Sequence, residues 1–423
     1  MVISAVAILS LIVTEFTYIA QVNKRIAYDS LDQVKAHYLA KSGLKLSLLR
    51  LKAYDQINKL VGSSKAGSGI PSVPRSMLDK IWSFPFFFPI PTNLPGMSQG
   101  DKDKIAKFQN ASNFDGKYSA VIQSESGKYN LNLILAQFNP KPAPSPSPSP
   151  SAPGAIPPVT PGTTAGSGVF DPAKARESLT EYLSQILNNK NQDDPDFAAG
   201  YRDFRIEEFM DAVFSWADNT YEKRNSSGKE QIKMKKAPFY SVSELHMLPL
   251  IDDQLYELFT PGLTAATTPG INVNTITEAT LRAIVPQMTV EETKKFFTDR
   301  DNEEEDNSFK DAEGFYKYLL TNVGSFRGSQ VAIDQLKKSL AERHIQIVTE
   351  ETQFKVTVQA VVNQSTCLTE AWVTLGATNQ TGTPNPSSSA KAQAPGAPPA
   401  PSVPGGANSV ADPGLKITFM RIL

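Results

Sequence analysis

The chain opens on a long apolar run. "MVISAVAILSLIVT" is interrupted by Glu15 and resumes as "FTYIA" before the basic pair Lys24 and Arg25. A membrane-spanning helix needs about 20 apolar residues, so the run predicts a transmembrane helix over 1–22. A cleaved signal peptide and a buried core helix are the alternatives. A signal peptide has basic residues ahead of its apolar run, and none occur between Met1 and Ala20, which favours the anchor.

Helical periodicity continues beyond this run. Apolar or small residues recur at three- and four-residue spacing at Leu39, Gly43, Leu46, Leu49 and Ala53. Such spacing places them on one side of a helix. We therefore expect one long helix, half in lipid and half packed on a soluble domain. Ala36, Ala40 and Gly43 are either ordinary helix residues or a surface that another element can approach closely.

Three stretches have the alternating pattern of strands. "YSAVIQSESGKYNLNLIL" predicts a β-hairpin around a Ser-Glu-Ser-Gly turn. "FKVTVQAVVN" and "CLTEAWVTL" predict a second antiparallel hairpin, and "LKITFMRIL" predicts a last strand. Because strands precede and follow a long helical block, the pattern indicates an α+β fold in which an all-α domain is inserted between strands of an antiparallel sheet.

The helical block carries local start signals. Three capping boxes, each a Ser or Thr followed three residues later by Glu, predict helix starts at Ser241/Glu244, Thr275/Glu278 and Thr289/Glu292. Two proline-rich tracts with few apolar residues flank the ordered segments. The predicted segments are 1–22 (transmembrane), 23–139 (helix and first strands), 140–168 (Pro/Ser-rich insert), 169–345 (inserted α-helical domain), 346–378 (hairpin), 379–414 (Pro/Ala-rich insert) and 415–423 (last strand).

Charge and composition exclude several function classes. Lys plus Arg total 42 against 43 for Asp plus Glu, so no overall charge attracts nucleic acid. One cysteine, Cys367, excludes an internal disulfide, and three separated histidines make a histidine metal cluster improbable. No Walker loop, GxGxxG, HExxH or Gly-x-Ser-x-Gly occurs, which indicates that the protein is not an enzyme. We expect His246 to be structural and Cys367 to lie in a hairpin turn.

Two acidic stretches invite a metal hypothesis. "DRDNEEEDNSFKD", Asp299 to Asp311, lacks the glycine and the bidentate glutamate of an EF-hand loop, so it predicts a solvated charged loop. In "FMDAVFSWADNT", Asp211 and Asp218 flank Trp216 near a predicted helix end. Asp218 is expected to be a capping residue, with a hard-cation ligand as the alternative.

The stretch "GINVNTITEATLRAIV" predicts a packing and capping motif. Ile271 and Val273 point into a core, Asn272 and Asn274 hydrogen-bond the turn, and Thr275 caps the next helix. Similar local patterns begin helix-hairpin-helix modules that bind DNA phosphates. The segment that follows has no glycine hairpin and many carboxylates, which opposes phosphate binding.

The ordered set of motifs resembles a known family. An apolar helix runs into "HYLAKSGLKLSLLRL" and is followed by "SESGKYNLN", "FMDAVFSWADNT", "APFYSVSELHMLPLIDDQLYELFTPGLT", "INVNTITEATLRAIV" and two late strands. This order resembles minor pseudopilin K of type II secretion systems (general secretion pathway protein K) over most of the chain outside the proline tracts. The resemblance implies a pilin-like long N-terminal helix packed on the sheet.

The family's function supplies further expectations. The resemblance implies a single-pass protein of the bacterial inner membrane with a periplasmic soluble domain, and no catalytic activity. It also implies that the protein caps the tip of the pseudopilus together with minor pseudopilins I and J, starts its assembly, and takes part in export of folded proteins across the outer membrane. In this arrangement Leu39, Gly43 and Leu46 would pack on partner helices.

Calcium is the one ligand that the resemblance implies. Family members bind calcium in the soluble region, and Asp218 falls in the matching Trp-x-Asp motif, although Thr220 stands where the family often has an acidic residue. Two other hypotheses remain: a membrane-anchored helix-hairpin-helix protein of competence type that binds DNA, and a periplasmic hydrolase. The lack of a paired nucleophile and base in the motifs opposes the hydrolase.

Overall fold

The structure, a computed structural model, describes residues 2–63, 75–90, 98–111, 116–135, 171–221, 234–302, 307–376 and 415–423. The two proline-rich inserts predicted at 140–168 and 379–414 lie outside these residues. The chain forms two compact units. Unit 1 consists of Met1–Ser124 and Thr352–Leu423, and unit 2 of Glu125–Glu351.

The helices and strands are numbered here in chain order. The helices are α1 (Val2–Ser63), α2 (Arg75–Ser83), α3 (Gln99–Ala111), α4 (Pro172–Asp193), α5 (Pro195–Gly200), α6 (Ile206–Ala217), α7 (Asp253–Phe259), α8 (Glu278–Ile284), α9 (Val290–Arg300), α10 (Ala312–Asn322) and α11 (Gln330–Glu342). The strands are β1 (Phe86–Phe88), β2 (Lys117–Ser124), β3 (Tyr129–Asn130), β4 (Leu263–Thr264), β5 (Ile271–Asn272), β6 (Ile347–Val348), β7 (Gln353–Val362), β8 (Ser365–Leu375) and β9 (Leu415–Ile422). Short 3-10 helices occupy Leu131–Ile134, Val242–Met247 and Thr260–Gly262.

Unit 1 is a five-stranded antiparallel sheet with α1 packed on one face. The strand order is β1-β2-β7-β8-β9. Strands β7 and β8 form the predicted late hairpin, with Val362 opposite Ser365, and β9 pairs with β8 as the predicted last strand. The alternating buried residues of β7 join a core with the C-terminal half of α1. This arrangement confirms the α+β fold with a long N-terminal helix on an antiparallel sheet.

The side of α1 that meets the sheet carries small residues. Ala36 and Ala40 are buried there, and Gly43 lies so close to the sheet that a Cβ atom would stand 2.7 Å from Val358 Cγ1 and 2.8 Å from Tyr118. A Cβ atom this close would force a shift of either the helix or the sheet. The small residues therefore let α1 approach its own sheet.

This geometry corrects the predicted partner-helix surface. Leu39 and Gly43 are buried against the sheet of the same chain, so the prediction that they pack on partner helices is wrong. Leu46 is half-buried and its partner role stays a prediction, whereas Leu49 of the same predicted stripe is exposed. The sequence period alone could not distinguish a side covered by a partner from one covered by the chain's own strands.

Unit 2 contains α4 to α11 around a second hydrophobic core. Two short parallel ladders join distant parts of this unit, β3 with β4 and β5 with β6. Tyr129, Leu131 and Ile134 belong to the core of unit 2. The predicted hairpin around the Ser-Glu-Ser-Gly turn is therefore wrong, because β2 pairs with β7 and Tyr129 pairs with Leu263.

The connection between the units is a simple insertion. Strand β2 ends at Ser124, which lies opposite Phe354 near the start of β7. The chain between these neighbouring strands forms unit 2, as the α+β prediction requires. The inserted unit begins at Glu125 and ends at Glu351, whereas the sequence predicted boundaries at 169 and 345. The first boundary lies earlier in the chain because residues 125–135 pack into the helical core.

Candidate functional site

The first third of α1 presents an apolar surface that no described residue covers. Its large apolar side chains are exposed at Ile3, Val6, Ile8, Leu9, Leu11, Ile12, Val13, Phe16, Tyr18, Ile19 and Val22. In length and composition α1 is able to cross a membrane. A helix that is apolar on all sides is buried either in a large core or in lipid. The described contacts thus fit the predicted transmembrane segment at 1–22.

Further along α1 the surface is divided between two environments. The side facing the sheet is buried, while Tyr38 and Leu49 on the outer side are each more than 60% exposed. Lys41 and Lys45 are exposed between them. This outer side is named here the outer face of α1 (Tyr38, Lys41, Lys45 and Leu49).

Asp218 lies at the C-terminus of α6 and is buried. Its N–H donates to the Phe214 carbonyl oxygen at 2.8 Å, which makes it the C-cap residue of the helix. Its Oδ1 accepts hydrogen bonds from Thr220 N at 2.8 Å and from Thr220 Oγ1 at 2.7 Å. Its Oδ2 is paired with the guanidinium of Arg176 from α4. The residue therefore takes the capping position that the sequence predicted.

The groups around Asp218 stabilise its ionised carboxylate. Burial opposes ionisation, but the hydrogen bonds from Thr220 and the charge and hydrogen bond of Arg176 outweigh it and lower the Asp218 pKa below its usual range. Lys236 Nζ adds a second positive charge 3.3 Å from the Asp218 carbonyl oxygen.

These contacts do not fit the predicted calcium site. Calcium requires six to eight oxygen ligands, whereas both carboxylate oxygens of Asp218 already accept hydrogen bonds and two cationic groups lie beside it. In the described ranges no three His, Cys, Asp or Glu side chains are grouped to hold a metal ion. The Asp218 metal hypothesis is therefore not supported by the donor set, since a calcium ion there would be repelled by Arg176 and Lys236.

A second polar cluster joins two of the sequence motifs. Trp216 Nε1 donates to Glu244 Oε2 at 2.9 Å, and Lys235 Nζ donates to the same carboxylate at 2.8 Å. Glu244 also accepts from Tyr240 N and completes the predicted capping box with Ser241. The sequence pattern predicted the capping box but not the Trp216 contact, because nothing in a local pattern links residues so far apart.

Burial and hydrogen bonding shift the pKa of Glu244 in opposite directions. Desolvation raises its pKa, but the hydrogen bonds from Lys235, Trp216 and Tyr240 and the Lys235 charge lower the pKa below the usual glutamate range. The Glu244 carboxylate is thus a structural anion, and its hydrogen bonds connect the motifs "SWADNT" and "APFYSVSEL".

The Asn-x-Asn turn is the centre of a third cluster. Asn272 is buried and its Nδ2 donates to Glu351 Oε1 at 2.6 Å. Asn274 Oδ1 accepts from Phe309 N at 2.8 Å, and its Nδ2 donates to the Phe309 and Thr349 carbonyl oxygens. Ile271 and Val273 are buried beside them. The turn therefore connects two chain segments in addition to its own, one at Phe309 and one at 349–351.

The helix cap in this motif differs from the prediction. Helix α8 begins at Glu278 with Thr277 as its N-cap, and Thr277 Oγ1 accepts from Thr280 N at 3.3 Å. The predicted Thr275 cap is wrong, because Thr275 N still donates to Asn272 O within the turn and the helix starts two residues later. The Thr289/Glu292 box is confirmed at the start of α9.

The same turn contacts the Ser-Glu-Ser-Gly segment. Asn272 N donates to the Ser126 carbonyl oxygen at 2.8 Å, and a Cβ atom on Gly127 would stand 2.4 Å from the Thr275 carbonyl oxygen. Glycine is required there because the two backbones approach so closely. "SESG" and "INVNT" thus form one packed structure.

The remaining candidates have structural environments. His246 is partly exposed and its ring stacks on Tyr256 with centroids 3.7 Å apart. Cys367 is buried within β8 and does not lie in the hairpin turn as predicted. In the acidic run, Asp301 pairs with Arg300 and Asp299 accepts from Tyr318, while Glu303 and Glu305 lie outside the described residues.

The chain is similar in structure to solved proteins. No family model and no curated protein matches the chain. Among solved structures, the chain is similar to one described as the crystal structure of the GspK-GspI-GspJ complex from the enterotoxigenic Escherichia coli type 2 secretion system. The match has a TM-score of 0.44 and 15% sequence identity, and it covers 82% of this chain and 93% of that chain.

Proposed function

We propose that this protein is a minor pseudopilin of a type II secretion system in the role of the K subunit. The observation that carries the proposal is the insertion of a helical unit between β2 and β7, two neighbouring strands of the sheet on which α1 packs. This is the architecture that the ordered motifs implied. The motifs themselves form the packed clusters of unit 2, where Trp216, Glu244 and Asn274 each join separate segments.

Helix α1 suits this role because its surface changes along its length. The exposed apolar part over 1–22 anchors the protein in the inner membrane as a single span, with the two units in the periplasm. Beyond it, the outer face of α1 is available to the helices of minor pseudopilins I and J.

The size of unit 2 supports a position at the tip. A fibre of stacked subunits would have to accommodate the inserted Glu125–Glu351 unit between every neighbouring pair, whereas the tip has a free side. In this position the protein starts assembly of the pseudopilus, caps it and takes part in export of folded proteins across the outer membrane. The proposed role is structural and not catalytic, since the polar clusters described above are occupied by capping and bridging hydrogen bonds.

Co-purification of the full chain tests the proposal. The protein, extracted in detergent and mixed with minor pseudopilins I and J from the same genome, is expected to form a stoichiometric ternary complex. Tyr38→Arg and Leu49→Arg on the outer face should weaken the complex, because each places a charge where an apolar helix would pack. Lys41→Arg, which keeps the charge on the same face, is the matched control.

Two results would contradict the proposal. One is the absence of any complex with a folded wild-type protein. The other is a clear preference for DNA over a neutral polymer at low salt, which would support the competence-type alternative.

A further inference from the structure

Two basic side chains from distant positions converge on the end of α6. Arg176 of α4 is paired with Asp218 Oδ2. Lys236 Nζ donates to the carbonyl oxygens of Asp218 at 3.3 Å and Tyr221 at 3.1 Å. Carboxylate and carbonyl oxygens are also the groups that bind calcium in proteins. Nitrogen donors thus hydrogen-bond to oxygen atoms of the type that would coordinate a metal ion.

Aromatic rings hold the Arg176 guanidinium in this position. Its Cζ atom lies 4.8 Å from the centre of the Tyr221 ring and 5.9 Å from that of Phe214. The two rings contact each other edge to face, and the Tyr221 hydroxyl donates to Asp211. Cation–π contacts of this kind stabilise a partly desolvated guanidinium. The position of Arg176 is therefore set by packing as well as by the charge of Asp218.

The backbone of Lys236 is held in an uncommon conformation. Its φ angle is +56°, in the left-handed region that non-glycine residues seldom adopt. Its N–H donates to the Trp216 carbonyl oxygen at 2.7 Å, near the end of α6. A residue stays in such a conformation only when surrounding contacts hold it there. The backbone and the ammonium group of Lys236 together tie the chain after residue 233 to the chain before residue 222.

We propose that Arg176 and Lys236 form an internal cation clamp that takes the place of a metal ion at Asp218. The clamp holds the C-terminus of α6 and joins the two ends of the segment 222–233. Asp218 is then an ion-pair residue, and α6 ends in the same way with or without calcium. This inference does not depend on the secretion role, because it concerns the stability of unit 2.

Calcium titration of the full chain in detergent tests the clamp. The melting temperature is expected to be the same in excess calcium chloride and in excess EGTA, and Asp218→Asn should not change calcium uptake in equilibrium dialysis. A rise in melting temperature with calcium that Asp218→Asn abolishes would overturn the proposal. A rise that persists in Asp218→Asn would place calcium elsewhere and would support the clamp.

Substitution of the cations provides a second test. Arg176→Met leaves a buried carboxylate without its partner and is expected to lower the melting temperature by about 5 °C or more. Lys236→Asn removes the ammonium group but tolerates the left-handed backbone, so a smaller decrease is expected. Asp253→Asn, at a side chain that is 95% exposed, is the matched control.

An Arg176→Met protein with the wild-type melting temperature would overturn the clamp. If this variant does not fold, the comparison of wild type with Asp218→Asn in calcium and EGTA still decides the question.

Discussion

At the residue scale, Gly43 shows how a single missing side chain permits the main packing contact of unit 1. A Cβ atom at this position would meet Val358 on β7 and Tyr118 on β2 at distances below 3.0 Å. Both neighbours are buried, so neither can move away without disturbing the core. Glycine costs helix stability by about 1 kcal/mol relative to alanine, and here that cost is offset by close packing of α1 on the sheet.

Gly43→Val is therefore expected to destabilise the protein. Overpacking of a buried site typically costs about 1–3 kcal/mol. Ser42→Val, one residue earlier on an exposed side of α1, is the matched control for the helix propensity of valine. The free energy of unfolding from chemical denaturation of the full chain measures the difference. Equal values for the two variants would show that α1 does not approach the sheet this closely.

At the element scale, three adjacent strands are joined by one buried anion. Glu370 of β8 lies between Lys355 of β7, 2.7 Å away, and Arg421 of β9. Burial raises the Glu370 pKa, but the hydrogen bonds and charges of Lys355 and Arg421 lower it below the usual range. Both cations also lie near the Trp372 ring, at 5.2 and 5.8 Å from its centre. The cluster thus links β9 to the central strands.

This cluster predicts a pH dependence of stability. Because the folded-state pKa is lowered, the contribution of Glu370 is present above the unfolded pKa of about 4.3 and is lost as pH falls through the folded pKa. Glu370→Gln should cost about 1–3 kcal/mol near pH 7, since two cations lose their charged partner. The difference from wild type should shrink below about pH 4.

Melting curves of wild type and Glu370→Gln between pH 7 and 3 measure this effect. Glu313→Gln is the matched control, because Glu313 forms an ion pair with Lys337 but its side chain is 75% exposed, and exposed pairs contribute about 0–1 kcal/mol. A difference between wild type and Glu370→Gln that is constant over this pH range would rule out the ionised Glu370 cluster.

At the scale of the whole molecule, one helix belongs to two environments. The first part of α1 exposes apolar side chains to its surroundings, and the later part buries Ala36, Leu51 and Tyr54 against the sheet. Deletion of 2–22 removes only the exposed part, so it should release the protein from membranes without unfolding unit 1.

Membrane fractionation checks this prediction. The wild type should remain in the membrane pellet after alkaline extraction, and the 2–22 deletion should move to the supernatant with an unchanged melting temperature. Deletion of 140–168 is the matched control and should stay in the pellet. A 2–22 deletion that remains in the extracted pellet would contradict the single N-terminal span.

Local signals in the sequence determined several elements. The long α1, the β7–β8 hairpin, the last strand β9 and the capping boxes at Ser241 and Thr289 all follow from periodicity or caps within a few residues. The hydrogen bonds and side-chain directions within a helix, a cap or a hairpin depend on residues that are close in sequence. Such elements can therefore be predicted without knowledge of the fold.

Only the tertiary structure decided which surfaces and side chains meet. Strand β2 pairs with β7 although the whole of unit 2 lies between them in sequence. Leu39 and Gly43 pack against the sheet of their own chain, and the Asp218 carboxylate pairs with Arg176 of another helix. Each of these contacts joins residues that are far apart in the chain. Their energies come from burial and charge pairing between segments, which no local pattern of one segment can specify.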